Sequence, residues 1–205
     1  MSDFWTSDYA TETAISDPKR KFRFMVEMTA LASTPSGGAS TSTVWFAKSV
    51  TKPSFQIATA EHKYLNHTFF YPGTVTWQDV TLTLVDPTSP DVAAIMGGLM
   101  GEDGAQYGVP STVSVFTTMT KYSAVSALGS VIISQLDGSG AKLEEWNLMN
   151  AFVTEMKFGD LEYGADDLTE LTITLKYDWA TLTPYTIATD GTATAGDDLF
   201  GKLTT

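Results

Sequence analysis

Cysteine is missing from all 205 residues. Its absence removes disulfides, thiol nucleophiles and cysteine metal centres. Basic residues are scarce: 12 Lys and Arg stand against 24 Asp and Glu, for a formal net charge of −12. Such a chain does not hold nucleic acid by neutralising phosphates. The acidic excess serves solubility, or makes a surface that nucleic acid passes without sticking. No apolar run approaches the roughly 20 residues needed to span a bilayer, so no membrane insertion of its own is expected. The start, Met1-Ser2-Asp3-Phe4-Trp5, lacks the basic and apolar regions of a secretory signal, so a product made in the cytoplasm is expected.

Catalytic signatures are missing too. There is no Gly-x-Ser-x-Gly elbow, no phosphate loop and no Gly-x-Gly-x-x-Gly. The two histidines, His62 and His67, fit neither strand alternation nor one helix face, and no second pair supports a metal site. Glu144-Glu145 are neighbours on an expected strand, so they point to opposite faces and cannot share a proton. Asp166-Asp167 fall in an expected turn, without the further oxygen ligands calcium requires. No catalytic residue, cofactor or metal is expected, and the chain is read as a non-enzyme.

What the sequence does contain is alternation. From Glu144 to Trp179 two period-two runs face each other across an irregular link. The second sets Leu171, Ile173, Leu175, Tyr177 and Trp179 against Thr172, Thr174 and Lys176. Lys19 to Leu31 alternates likewise, with Phe22, Phe24, Val26 and Met28 on one side. Tyr71-Pro72-Gly73 reads as a tight turn into a strand over 74–86, whose phase slips at Gln78-Asp79 as at a β-bulge. Thr112 to Thr120 and Val125 to Leu136 read as further strands, the latter with Val131, Ile132 and Ile133 apolar on both parities. Asp137-Gly138-Ser139-Gly140 reads as a hairpin turn. One helix is expected over about 89–101, with Ser89 as cap, Pro90 in the first turn, and Val92, Ile95, Met96 and Leu99 on one face.

These elements predict a mainly β fold: an antiparallel sandwich or distorted barrel of roughly seven strands with one α-helix. An N-terminal arm is expected over 1–18, a β domain over 19–184 with a flexible loop at 33–43, and a polar C-terminal arm over 185–205.

Two stretches resemble the contractile-tailed bacteriophage tail tube proteins. The first is Trp-Asn-Leu-Met-Asn-Ala-Phe at 146–152, followed by Leu161-Glu162-Tyr163 and Leu-Thr-Ile-Thr-Leu-Lys-Tyr-Asp-Trp at 171–179. The second is Phe-Phe-Tyr-Pro-Gly-Thr-Val-Thr-Trp at 69–77, leading into Val-Thr-Leu-Thr-Leu-Val-Asp. The resemblance implies hexameric rings stacked into a hollow tube, inner strands closed into a shared barrel, and a location in the virion tail after assembly in the host cytoplasm. Implied partners are further copies of the chain, a tail sheath protein, and baseplate and tail-completion proteins. Tape measure protein and DNA would pass through the lumen without sequence-specific binding.

Candidate inter-subunit residues are Phe4, Trp5, Tyr9, Val131, Ile133, Leu199 and Phe200. Candidate lumen-facing residues are Thr81, Thr83, Thr172 and Thr174, on a surface expected to be acidic with short side chains. A tube-like baseplate or completion protein, or an injection-system tube, shares the pattern. A carbohydrate-binding β-sandwich differs in kind: it predicts a monomer with an exposed aromatic row.

Overall fold

A computed structural model describes residues 19–29, 47–88, 91–98, 119–164, 166–187 and 193–199. The stretch from Glu144 to Trp179 is the centre of one long bent ribbon. Strands β7 (Lys142–Met149) and β8 (Phe152–Lys157) form its outward run. Strands β9 (Glu170–Lys176) and β10 (Trp179–Ile187) form its return. β8 pairs with β9 and β7 with β10, all antiparallel. Both runs bend at the same level, at Asn150-Ala151 and at Tyr177-Asp178, and there the ribbon passes from one sheet into another.

The first sheet has the order β1 (Phe24–Met28), β6 (Val131–Leu136), β7, β10, β11 (Ala193–Ala195). The second has the order β2 (Ala47–Val50), β5 (Val80–Val85), β9, β8. A third piece is a two-stranded hairpin, β3 (Phe55–Tyr64) with β4 (His67–Trp77). The alternating residues of the first two sheets meet between them. Val26, Val131, Ile133 and Leu148 come from one, and Leu82, Leu84, Ile173 and Leu175 from the other. All are buried. Full burial of such a side chain stabilises by about 1.5–3 kcal/mol. Helix α1 (Val92–Gly98) closes part of this core with Val92 and Met96.

The mainly β, antiparallel reading therefore holds, with several local corrections. Helix α1 starts at Val92, and Asp86 Oδ1 accepts from Val92 and Ala93 N–H at 3.1 Å each, while Asp91 accepts from Ala94. Ser89, Pro90 and Leu99 lie outside the described residues. A second helix, α2 (Lys121–Leu128), occupies the front of the run read as a strand from Val125. Thr120 caps it by accepting from Ser123 N–H, and Gly129 ends it at φ 68°. The phase slip at Gln78-Asp79 is no bulge. There the chain leaves the hairpin and enters the four-stranded sheet.

Tyr71-Pro72-Gly73 does not turn either. It runs inside β4, whose register shifts opposite Ala58. A Cβ on Gly73 would lie 2.9 Å from the Ala58 carbonyl oxygen, so only glycine fits there. Phe22 precedes β1 in a turn and is exposed rather than inward. Part of the C-terminal stretch adds a strand, β11, to β10. The arm over 1–18, the loop at 33–43 and the strand read over 112–118 lie outside the described residues.

Candidate functional site

The bend of the ribbon explains why its sequence is distinctive. Asn150 sits in the left-handed region at φ 55°, where asparagine is among the few side chains commonly found. Its amide donates to Asp178 Oδ2 at 2.7 Å, and Asp178 N–H donates to the Met149 carbonyl at 3.0 Å. Lys121 on α2 donates to both Asp178 oxygens, at 2.8 and 2.6 Å. The Lys121 ammonium, then the Asn150 amide, hold the Asp178 carboxyl below its usual range. Ala151 and Tyr177 turn into the core beside this corner. Burial pushes the Tyr177 hydroxyl up to about 12. Asn-Ala-Phe and Tyr-Asp, 28 residues apart at Asn150 and Asp178, are thus two halves of one joint.

Beyond the joint, the four-stranded sheet has one apolar and one polar face. The apolar face carries Val80, Leu82, Leu84, Leu171, Ile173 and Leu175. On the other, Thr81 lies directly opposite Thr174, and Thr83 opposite Thr172. All four expected lumen threonines thus form one half-buried ladder at the sheet's centre. Ser49 extends it across β2, and Glu155 and Lys157 across β8. Each cation on this face has an acid beside it. Lys157 meets Glu155 at 3.2 Å, Lys176 meets Asp79 at 2.9 Å, and Lys48 meets Glu170. The face is charge-matched, not acidic as the sequence suggested. Both edges of this sheet, β2 and β8, lack a further strand among the described residues.

The hairpin β3–β4 is the second surface. Its strands hydrogen-bond only to each other among the described residues. Every residue of β3 is exposed. Its base is fixed by Trp77, which packs on the core, meets Phe55 edge-on at 5.3 Å and lies 5.9 Å from Tyr177. Farther out, Ala60–Tyr71, His62–Phe69 and Tyr64–His67 are cross-strand pairs on one face. The His67 ring lies 4.8 Å from Phe69. Both histidines are therefore exposed strand residues around the tip, and among the described residues no metal-binding cluster of His, Asp and Glu forms. Phe70 is 64% exposed on the other face, and Leu65 at the tip is 88% exposed with φ 52°.

The expected interface residues fare differently. Val131 and Ile133 are enclosed by their own chain, between the two sheets. Their side chains are not surface, because β6 is central in its sheet, between β1 and β7. Leu199 is exposed, with its N–H donating to the Leu182 carbonyl at 2.9 Å. Phe4, Trp5, Tyr9 and Phe200 lie outside the described residues. The hairpin was not foreseen as a surface. The run Phe69-Phe70-Tyr71, apolar on both parities, carried the signal.

Glu144 and Glu145 separate as expected. Glu144 is gripped by Lys19 and Lys52, while Glu145 takes Lys142 at 2.7 Å and the Tyr185 hydroxyl at 3.3 Å. Burial opposes ionisation of Glu144, but its two lysine partners outweigh it and hold the carboxyl below its usual range.

No protein-family model matches the chain, and no curated protein does. Solved structures do match. A chain in the cryo-EM structure of the anti-feeding prophage baseplate aligns with a TM-score of 0.56 at 15% identity, over 82% of this chain and 97% of that one. A chain in the sheath/tube terminator of the extracellular contractile injection system PVC gives 0.54 at 18% identity, over 82% and 99%. One in the PVC sheath–tube complex gives 0.54 at 19% identity, over 87% and 97%. The chain shares the fold of these tube and baseplate components, in agreement with the tail tube resemblance.

Proposed function

We propose that this chain is a structural, non-enzymatic tube protein of a contractile tail or injection system, whose copies join into rings that stack into a hollow conduit within a sheath. The observation that carries this reading is the four-stranded sheet, apolar inside, polar outside, and open along β2 and β8. Open edges are aggregation templates unless they are paired. Pairing β8 of one copy with β2 of the next removes them and closes the sheet on itself. Six copies would supply 24 strands, four from each. At ~4.8 Å spacing and ~40° tilt, that barrel has a backbone diameter of about 48 Å.

The threonine ladder would then line the lumen. Its side chains are short, and each lysine around it is matched by an acid. Such a wall offers no loose cation to grip phosphate, so a nucleic acid or a protein slides. The hairpin β3–β4, apolar and exposed, supplies the contact between copies in successive rings.

Electron microscopy of the purified chain tests this. Hollow tubes or stacked rings are expected, with the threonine face innermost in the reconstruction. Single rings that do not stack assign the chain to a baseplate or completion role instead. A monomer at the highest soluble concentration overturns the proposal. The aromatic row Tyr64, Phe69 and Tyr71 on the hairpin favours a second reading, a glycan-binding module. That reading requires the monomer, and binding in a glycan screen that is lost on Tyr71→Ala.

A further inference from the structure

The chain carries a knob and a hole of opposite charge at the two ends of its bent ribbon. Four of its 12 cations fall in five residues, Lys19, Arg20, Lys21 and Arg23, with Phe22 among them. Arg23 N–H donates to the Arg20 carbonyl at 3.3 Å, which closes a tight turn ahead of β1. The turn is pinned to the first sheet. Gln135 donates to the Arg20 carbonyl at 3.2 Å, and Lys19 is bound to Glu144 at the start of β7. Lys21 and Phe22 are left at the tip, both exposed, Phe22 by 72%. The Arg23 guanidinium lies over the Phe22 ring at 5.4 Å. The result is an aromatic ring framed by cations and held out from the body.

The hole lies at the other end, in the link between β8 and β9. Gly159 bends this link sharply at φ 77°, and a Cβ there would sit 2.6 Å from the Glu170 carbonyl oxygen. The bend opens a cleft of about 610 Å³. Leu161, Tyr163 and Leu168 line it, and all three are exposed. Asp160, Glu162 and Asp167 rim it. Glu170 is already taken by Lys48, whose ammonium also interacts with Asp167. Exposed apolar side chains set among acids are the complement of an aromatic ring with a cationic frame.

The two features do not meet within one chain. Phe22 is exposed and no residue of its turn lines the cleft. The ribbon separates them. Glu144 marks the end beside the turn and Lys157 the end at the cleft, roughly 43 Å of strand apart along the bent path.

We infer that the Arg20–Arg23 turn of one copy docks in the β8–β9 cleft of the next, with Phe22 on Leu161, Tyr163 and Leu168 and Lys21 among Asp160, Glu162 and Asp167. Because knob and hole differ, the contact is head-to-tail, the kind that propagates into rings or filaments instead of stopping at a dimer. It rests on the tube reading for its biological setting, but not for its chemistry.

The test uses the unmodified chain. Equal amounts of ¹⁵N-labelled and unlabelled protein are mixed and treated with a carbodiimide, which joins an amine to a carboxylate already in salt-bridge contact. Mass spectrometry should find mixed-isotope peptides linking Lys21 to Asp160, Glu162 or Asp167. Cross-links elsewhere, with none between these segments, overturn the contact. Hollow tubes without this cross-link overturn the contact and leave the tube reading standing. The cross-link without rings or tubes keeps the contact and overturns the tube. Charge reversal gives an independent readout. Lys21→Glu alone and Glu162→Lys alone should each weaken association about tenfold, and a mixture of the two variants should restore it. Both positions are exposed, so neither change disturbs the core. Equal association in all combinations overturns the proposal.

Discussion

The bent ribbon and the β3–β4 hairpin are built alike and end up opposite. Both are antiparallel strand pairs whose ladders carry a register shift. In the ribbon, Leu148, Leu171, Ile173 and Leu175 are covered by the chain's own sheets and helices. In the hairpin, Ile57, Phe69, Phe70, Tyr71 and Val75 stay 44–64% exposed. A hydrogen-bond ladder satisfies the backbone equally well in both. What differs is the side-chain cover, and cover decides whether a strand pair serves folding or waits for a neighbour.

The sharpest way to break this contrast is to hollow each region in turn. Ile173→Ala, at the centre of the ribbon, should cost about 3–4 kcal/mol in chemical denaturation. A loss below about 1 kcal/mol would mean the ribbon is not the seat of stability. Next comes the joint. Asn150→Leu places a branched side chain at φ 55° and strips Asp178 of a donor. It should lose about 2 kcal/mol in the same assay, against about 1 kcal/mol for Asn150→Gly, which keeps the backbone and loses only the hydrogen bond. If glycine proves the worse of the two, strain at the joint is not the issue.

The hairpin should behave in reverse. Phe70→Ser with Tyr71→Ser should leave the unfolding midpoint within about 0.5 kcal/mol of the parent. Light scattering should nevertheless show assembly stopping at single rings that no longer stack. Unfolding of the pair at much lower denaturant would show that the hairpin is part of the fold after all.

The smallest effect concerns acid. The Glu144 carboxyl is held below its usual range in the folded chain by Lys19 and Lys52, which outweigh its burial. Its contribution is therefore present above the unfolded-state value and lost as pH falls through the lower folded one. Stability of the parent should decline more steeply between about pH 5 and 3 than that of Glu144→Gln. Parallel curves would show that the two lysines grip nothing of consequence.

How legible each region was follows from the same contrast. Alternation appears in sequence when one face is buried and the other wet, so β9 and β5 could be read residue by residue, whereas the change of phase at the bend, which buries Ala151 and Ala180 and leaves Trp179 41% exposed, was missed. The threonine ladder emerged correctly aligned for that reason: Thr81, Thr83, Thr172 and Thr174 sit at the wet parity of two strands that pair. β3 is exposed on both faces, so nothing forces its side chains to alternate. His62 and His67 accordingly fit no strand alternation, and Pro72-Gly73 inside β4 passed for a turn. α2 spans only eight residues. A helix that short carries little periodic signal. Val131 and Ile133 were placed at an interface because β6 is apolar on both parities. The simpler cause is a central strand, with neighbours on both sides and a core above it.

The joint at Asn150 and Asp178 has a mechanical consequence. A ribbon whose strand pairing resumes on both sides of the corner, tied there by the Asp178 N–H to Met149 carbonyl bond, behaves like an angle bracket. A thrust delivered along β8 and β9 runs parallel to the strands, so the rungs between them are loaded together in shear instead of being peeled one at a time. Force entering the threonine sheet is then handed around the bend to β7 and β10, with Lys121 bracing the elbow from α2. In single-molecule pulling, the chain should resist far more when stretched from β8 against β9 along the strands than when the same two strands are drawn apart sideways. An object pushed end-on at speed survives through that kind of directional stiffness.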